Sequence, residues 1–184
     1  MEGRTYFGEQ RIDLQGVFLA ALAAISLCVS TAALGRDLAR LPSPTGVTAL
    51  EVRGALSRAN SDDAAYFDME MLKALPAAQL ETTTAVTDGV RRFDGFLMRD
   101  LLEHVGAQGS MVTASALNAY SIDIAIDEFD RFDVLVAYAM DGQPLLSSDK
   151  GPLWIVYPRD QHAELQDIRY DYRWVWQLMR LDVK

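Results

Sequence analysis

The chain has 184 residues and a formal net charge of −9, and half of its residues are hydrophobic. This length suits one domain of ordinary size, and the hydrophobic fraction excludes an intrinsically disordered protein. The acidic balance argues against nucleic acids and anionic membrane surfaces as partners, because both select a basic face.

Residues 1–33 are predicted to be a signal peptide. An uncharged apolar run at residues 17–29 is too short to span a bilayer comfortably, and the small residues after it predict cleavage following Ala32 or Ala33. We therefore expect a periplasmic protein. The segment before the run has two arginines offset by three acidic residues, so an uncleaved anchor is the alternative. Cleavage would also remove Cys28, the only cysteine, and with it any disulfide or thiol nucleophile.

Residues 34–46 are predicted to be a linker, because prolines and a glycine interrupt any regular element there, and residues 47–184 are predicted to form a single domain. The first half of this domain starts with an alternating strand at 48–53 and a turn at 60–63. Asp68 is placed to cap a short helix that Pro76 ends. A threonine-rich β segment at 79–86 and a strand at 90–93 follow, joined by a turn.

The second half starts with the clearest helix, at residues 97–105, whose apolar side chains recur at helical spacing before Gly106. The pair Asp141-Gly142 is a strong hairpin signal. The remaining patterns predict strands at 112–117, 122–126, 134–140, 153–157 and 174–183, the last of which we expect to close the sheet. These patterns predict an α+β domain in which strands predominate.

Metal-binding patterns are absent from the sequence. The two histidines, His104 and His162, have no paired spacing, so a transition-metal site built from several protein ligands is not expected. Five acidic residues between positions 123 and 133 lack the spacing of a calcium loop. We interpret them as a solvated turn, with a loose cation site as the alternative.

Cations and aromatic residues concentrate between residues 150 and 174. Lys150 precedes and Arg159 follows the apolar strand at 153–157, and Arg173 lies among aromatic residues. An aromatic core with arginines packed on its rings would explain this pattern. The alternative is an anion site, in which cations bind a phosphate or carboxylate while aromatic faces stack on a heterocycle. Composition alone does not choose between them.

Four segments carry motifs in an order that points to one family. They are RRFDGFLMRDLLEHVGA at residues 91–107, ALNAYSIDIAIDEFDRFDVLVAYAMDGQPL at 116–145, KGPLWIVYP at 150–158 and YRWVWQLMRLDV at 172–183. Together they resemble the oxidoreductase molybdopterin-binding domain of the sulfite oxidase family, over residues 48–184. The resemblance implies a mixed, strand-rich α+β fold that holds a pterin or molybdopterin cofactor.

One departure from the family concerns the metal. The resemblance implies a cysteine thiolate bound to molybdenum a short distance before the glycine matched here by Gly95. In this chain that neighbourhood reads Thr82-Thr83-Thr84-Ala85. A threonine hydroxyl stays protonated near neutral pH and cannot replace a soft thiolate ligand at similar strength. We therefore expect no tightly bound molybdenum and assign no catalytic residue.

The resemblance and the residue types together suggest a site for a small anionic ligand. We expect Tyr157 to lie at its mouth, and Gly151 to allow close approach of the backbone to the ligand. The complete set of predicted ligand-binding residues is Lys150, Gly151, Tyr157, Arg159, Arg173 and Tyr120.

Three functions are compatible with these features. The first is an exported, non-catalytic binding module for a pterin-like or other anionic heterocycle. The second is a periplasmic sensor or interaction subunit that partners a membrane signalling or redox protein. The third is a molybdopterin-dependent oxidoreductase that lacks the usual cysteine ligand.

Overall fold

The computed structural model describes residues 40–184. The predicted signal peptide at residues 1–33 and the first part of the predicted linker lie outside the described residues. Residues 40–47 adopt no helix or strand, and Leu41 is buried against the core. Within residues 40–184, no helix is long and apolar enough to cross a membrane.

Ten strands and four short helices make up the described chain. The strands are β1 Thr48–Gly54, β2 Ala64–Asp68, β3 Ala77–Thr84, β4 Thr87–Leu97, β5 Met111–Ala116, β6 Ser121–Ala125, β7 Leu135–Met140, β8 Gln143–Pro144, β9 Trp154–Val156 and β10 Leu178–Val183. The helices are α1 Met69–Lys73, α2 Met98–His104, α3 Ile126–Arg131 and α4 Ile168–Asp171, with a 3-10 helix at Ala163–Gln166.

The strands form two sheets that share one continuous hydrophobic core. The first sheet has the order β2-β1-β10-β5-β6, with β1 and β10 parallel and its other described pairs antiparallel. The second sheet has the antiparallel order β3-β4-β7-β8, and β9 also pairs with β7. Leu50 and Val52 of the first sheet and Phe93 and Phe96 of the second belong to the same core. The predicted strand-rich α+β class is confirmed.

Local signals place several elements where the sequence predicts them. Asp68 caps α1: its carboxylate accepts hydrogen bonds from the Met71 amide at 2.9 Å and from the amides of Thr45 and Gly46 at 2.8 Å each. These hydrogen bonds, that from Met71 above all, lower the pKa of Asp68. Asp141 and Gly142 have φ angles of 52° and 76°, which a tight hairpin turn requires, and they connect β7 to β8.

The C-terminal segment differs from its prediction in extent and position. The predicted strand at 174–183 begins only at Leu178, and β10 lies in the middle of the first sheet rather than at its edge. Residues 174–177 instead reach across to the second sheet, where Trp176 forms an isolated bridge with Trp154 and the Ile155 amide donates to the Val175 carbonyl at 3.0 Å. This segment therefore ties the two sheets together.

The interpretation of the acidic cluster as a solvated turn is wrong for its centre. Residues 126–131 form α3, whose Phe129 is buried in the core. The side chain of Glu128 is only 14% exposed, because it points toward Arg173 rather than into solvent. Among residues 40–184, no group of three or more histidine, cysteine or acidic side chains is close enough to hold a metal ion.

Candidate functional site

The apolar strand at residues 153–157 is fully buried, so its aromatic side chains belong to the core. Trp154 is buried, and both faces of the strand are covered. The expectation that Tyr157 lies at a pocket mouth is wrong, because its side chain is completely buried and packs near the rings of Phe132, Tyr170 and Trp174. Burial raises the pKa of Tyr157 well above its ordinary value.

Arg173 belongs to a polar cluster beneath the aromatic rings. Its guanidinium pairs with the Glu128 carboxylate and lies 4.6 Å from the ring centroid of Tyr170. The Tyr157 hydroxyl donates to the same Glu128 carboxylate at 3.4 Å. Burial raises the pKa of Glu128, and the positive charge of Arg173 opposes that shift. Arg173 therefore neutralises a carboxylate of this chain.

The two cations at the ends of the strand are also paired within the chain. Arg159 pairs with Asp171, and both side chains are partly exposed. The Lys150 ammonium lies 2.9 Å from the Asp149 carboxylate and 5.9 Å from the ring centroid of Trp154. The structure does not bring Lys150, Arg159 and Arg173 together as uncompensated charges around one cavity.

Gly151 has a packing reason for lacking a side chain. A Cβ atom at this position would overlap the Leu145 carbonyl oxygen. The close backbone approach that the sequence predicts at Gly151 therefore occurs, but the partner in the described chain is Leu145 rather than a ligand.

An aromatic cleft lies beside the segment that joins the sheets, and Trp174 and Trp176 of that segment line it. It has a volume of about 190 Å³. Aromatic rings supply most of its walls: Trp176, Tyr120 and Tyr172 are 36%, 39% and 60% exposed, whereas Trp174 is buried. The complete lining consists of Ala116, Asn118, Tyr120, Asp171, Tyr172, Trp174 and Trp176.

Local backbone geometry positions the cleft residues. Tyr120 follows the turn between β5 and β6, where its amide donates to the Asn118 side-chain oxygen at 3.0 Å. Its hydroxyl donates to the Tyr172 carbonyl at 2.6 Å, which connects this turn to the end of α4. Trp174 and Trp176 are two residues apart in the link before β10. The indole nitrogen of Trp174 is buried without a hydrogen-bond partner in the described chain.

Of the predicted site residues, only Tyr120 lines the aromatic cleft. The two tryptophans at alternate positions, Trp174 and Trp176, could have indicated a cluster of aromatic rings in this region. No local pattern could have indicated Asp171, because its place in the cleft depends on the packing of α4.

The threonine segment, Thr82-Thr83-Thr84-Ala85, is hydrogen-bonded to the loop after β9. The backbone amide and hydroxyl of Thr83 both donate to the Asp160 carboxylate, each at 2.6 Å. The Asp160 amide donates to the Thr82 hydroxyl at 3.3 Å, and the hydroxyls of Thr84 and Thr87 lie 2.8 Å apart. These oxygens are engaged in hydrogen bonds and include no thiolate, so the residues present do not fit a molybdenum centre of the cysteine-bound type.

The threonine segment is connected to the aromatic cleft through two adjacent residues. Asp160 accepts a hydrogen bond from Thr83, and the preceding residue, Arg159, forms an ion pair with Asp171 in the wall of the cleft. Two polar contacts in series therefore connect the threonine segment with the wall of the cleft.

Comparison with known proteins identifies one related family. Residues 49–163, more than half of the chain, match the family model described as oxidoreductase molybdopterin binding domain. The match includes the threonine segment, Asn118, Tyr120 and Asp160, whereas Asp171 and the two cleft tryptophans lie beyond it. No curated protein matches the chain.

Proposed function

Because the chain belongs to the oxidoreductase molybdopterin binding domain family, we propose that residues 40–184 form a non-catalytic module that binds a pterin-like heterocycle in the aromatic cleft. The observation that carries this proposal is the set of partly exposed rings, Tyr120, Tyr172 and Trp176, around one small cavity. Flat aromatic faces stack favourably on a flat heterocycle. Membership of the family supports the class of ligand, and the exposed rings support the cleft as its binding site.

The size of the cleft favours a single ring system. Its volume of about 190 Å³ is below the range of about 300–1,000 Å³ that is usual for drug-sized ligands. Complete molybdopterin also carries a phosphate, and the nearby arginines Arg159 and Arg173 are paired with carboxylates of this chain. Both observations support a bicyclic heterocycle without an anionic tail.

We expect the purified protein to contain no stoichiometric molybdenum, because the threonine segment supplies no thiolate. The measurement is elemental analysis of the protein expressed in a host that is replete in molybdenum and its cofactor. A ratio near one metal ion per chain would contradict this proposal and support a molybdopterin-dependent oxidoreductase.

Binding can be tested by titrating the protein with pterin and following tryptophan and pterin fluorescence. Removing one stacking face by Trp176→Leu should weaken binding by about 5- to 150-fold, since stacking contributes about 1–3 kcal/mol per ring. Tyr66→Leu is the matched control, because Tyr66 is absent from the cleft lining. If the wild type and Trp176→Leu bind pterin with equal affinity, the ligand does not stack on Trp176, and the proposal that it binds in the aromatic cleft is contradicted.

A sensor or interaction subunit in the periplasm is the second candidate, supported by a separate apolar groove on the first sheet. This groove has a volume of about 460 Å³ and includes Val47 and Leu117, which are 90% and 53% exposed. Contiguous exposed apolar surface is typical of protein interaction sites. Crosslinking in intact cells should capture a membrane signalling or redox protein with the wild type, and Val47→Asp should reduce the yield. Unchanged capture would contradict this role for the groove.

A further inference from the structure

Among the described residues, 40–184, Asp171 is the one charged residue that lines the aromatic cleft. Its side chain is 25% exposed, so it is accessible to a ligand in the cleft but partly shielded from bulk water. The other lining residues are aromatic, apart from Ala116 and Asn118. In a small cavity with stacking walls, the few polar groups determine which edge of a flat ligand is accepted.

The ion pair with Arg159 leaves Asp171 with acceptor capacity. Within residues 40–184, Arg159 is the one donor to this carboxylate, through oxygen Oδ1. An ionised carboxylate offers two oxygens and about four acceptor sites. Arg159 therefore fixes the orientation of Asp171, while Oδ2 and part of Oδ1 remain available to a ligand.

A carboxylate accepts hydrogen bonds and donates none, so it pairs best with two parallel N–H groups. The 2-amino-4-oxo ring of pterin presents this edge through its amino group and the adjacent ring N–H. In lumazine the amino group is replaced by a carbonyl, which would face the carboxylate oxygen and repel it. A phosphate or carboxylate in the ligand would be repelled for the same reason.

Asn118 can supply the hydrogen-bond donor that a carbonyl next to the amino and N–H groups of the ligand needs. Its side-chain oxygen already accepts from the Tyr120 amide at 3.0 Å. The amide nitrogen is therefore the part of Asn118 that can donate to a ligand carbonyl, such as the 4-oxo group of the same ring.

On the premise of the proposed function, we infer that Asp171 is the specificity-determining residue of the cleft. It selects uncharged heterocycles with a 2-amino-4-oxo edge over their 2,4-dioxo counterparts. Asp171 lies beyond residues 49–163, the part of the chain that matches the family model.

The test compares the affinities of the full-chain protein for pterin and for lumazine, measured by fluorescence titration or calorimetry. The wild type should bind pterin about 10- to 150-fold more tightly, the range for a hydrogen bond to a charged group. Asp171→Asn converts one acceptor into a donor, which matches the N–H and carbonyl of lumazine. The preference should therefore fall by at least about tenfold, with some gain in lumazine affinity.

Trp176→Leu is the control, because it should weaken the binding of both ligands and leave their ratio unchanged. Melting temperatures of the variants establish that each is folded. If the wild type binds pterin and lumazine equally, or if Asp171→Asn keeps the wild-type ratio, the inference is overturned while the proposed function stands. If the wild type binds neither compound, both are overturned.

Discussion

Three polar side chains, Glu128, Arg173 and Tyr157, form one cluster next to the aromatic rings. Because they are largely shielded from water, we expect their contacts to contribute to the free energy of unfolding. The side chains of Glu128 and Arg173 are 14% and 24% exposed. Glu128→Ala would leave a guanidinium and a buried phenol without their acceptor. We expect the free energy of unfolding to fall by about 1.5–3 kcal/mol, measured by urea denaturation at pH 7.

The exposed ion pair between Arg131 and Glu164 provides the matched control for this cluster. Its side chains are 58% and 43% exposed. Glu164→Ala should lower the free energy of unfolding by no more than about 1 kcal/mol, because solvent screens exposed pairs. Equal losses in Glu128→Ala and Glu164→Ala would mean that burial of the cluster contributes nothing.

The capping carboxylate of Asp68 predicts a dependence of stability on pH. Hydrogen bonds from backbone amides, chiefly those of Met71 and Gly46, lower its pKa in the folded state below that of the unfolded chain. Its contribution is therefore present above the unfolded pKa of about 3.9 and is lost as the pH falls through the folded pKa. Asp68→Asn should be less stable than the wild type at pH 7, and this difference should shrink toward pH 2. A difference that stays constant across urea titrations at these pH values would exclude this contribution.

Among the elements, β4 depends on a glycine at the point where it contacts β7. A Cβ atom on Gly95 would overlap the carbonyl oxygen of Val136, which belongs to the backbone of β7. Backbone cannot move aside without breaking the sheet ladder, so Gly95→Ala should lower the free energy of unfolding by about 3 kcal/mol or more. Thermal and urea denaturation measure this loss.

Gly142 offers a control for Gly95, because an alanine there would introduce backbone strain without steric overlap. Its φ angle is 76°, but the nearest atom to an added Cβ is a terminal nitrogen of Arg92 at 3.6 Å. Gly142→Ala should therefore cost only the strain of a left-handed residue, about 1–2 kcal/mol. If Gly95→Ala is the milder of the two substitutions, the close approach of β4 to β7 is not a constraint on the sheet.

At the scale of the whole molecule, export remains a prediction from residues 1–33. The apolar run at 17–29 and the small residues after it predict a periplasmic product that lacks its first 32 or 33 residues. Intact mass of the protein from the periplasmic fraction measures this. Leu22→Arg, in the middle of the run, should keep the full-length chain inside the cell. A full-length wild-type chain in the membrane fraction would instead support an uncleaved anchor.

Much of the fold is encoded in local patterns, and this is why it could be predicted. The alternation at 122–126, the helical spacing at 97–105 and the pair Asp141-Gly142 each depend on residues a few positions apart, although Ile126, the last residue of the alternation, begins α3 instead of continuing the strand. The structure places β6, α2 and the β7–β8 turn at these patterns. Motif order is likewise a property of the linear chain, and the family that it indicated is confirmed.

The site depends on contacts between distant residues, which no local period encodes. Arg173 pairs with Glu128 across 45 positions, and Arg159 pairs with Asp171 across 12. In the sequence these arginines stand beside aromatic residues and have no evident partner. In the structure a carboxylate of α3 pairs with Arg173, and a carboxylate of α4 pairs with Arg159. Side chains are assigned to core, ion pair or cleft by the way helices and sheets pack in three dimensions, because burial makes an unpaired charge unfavourable.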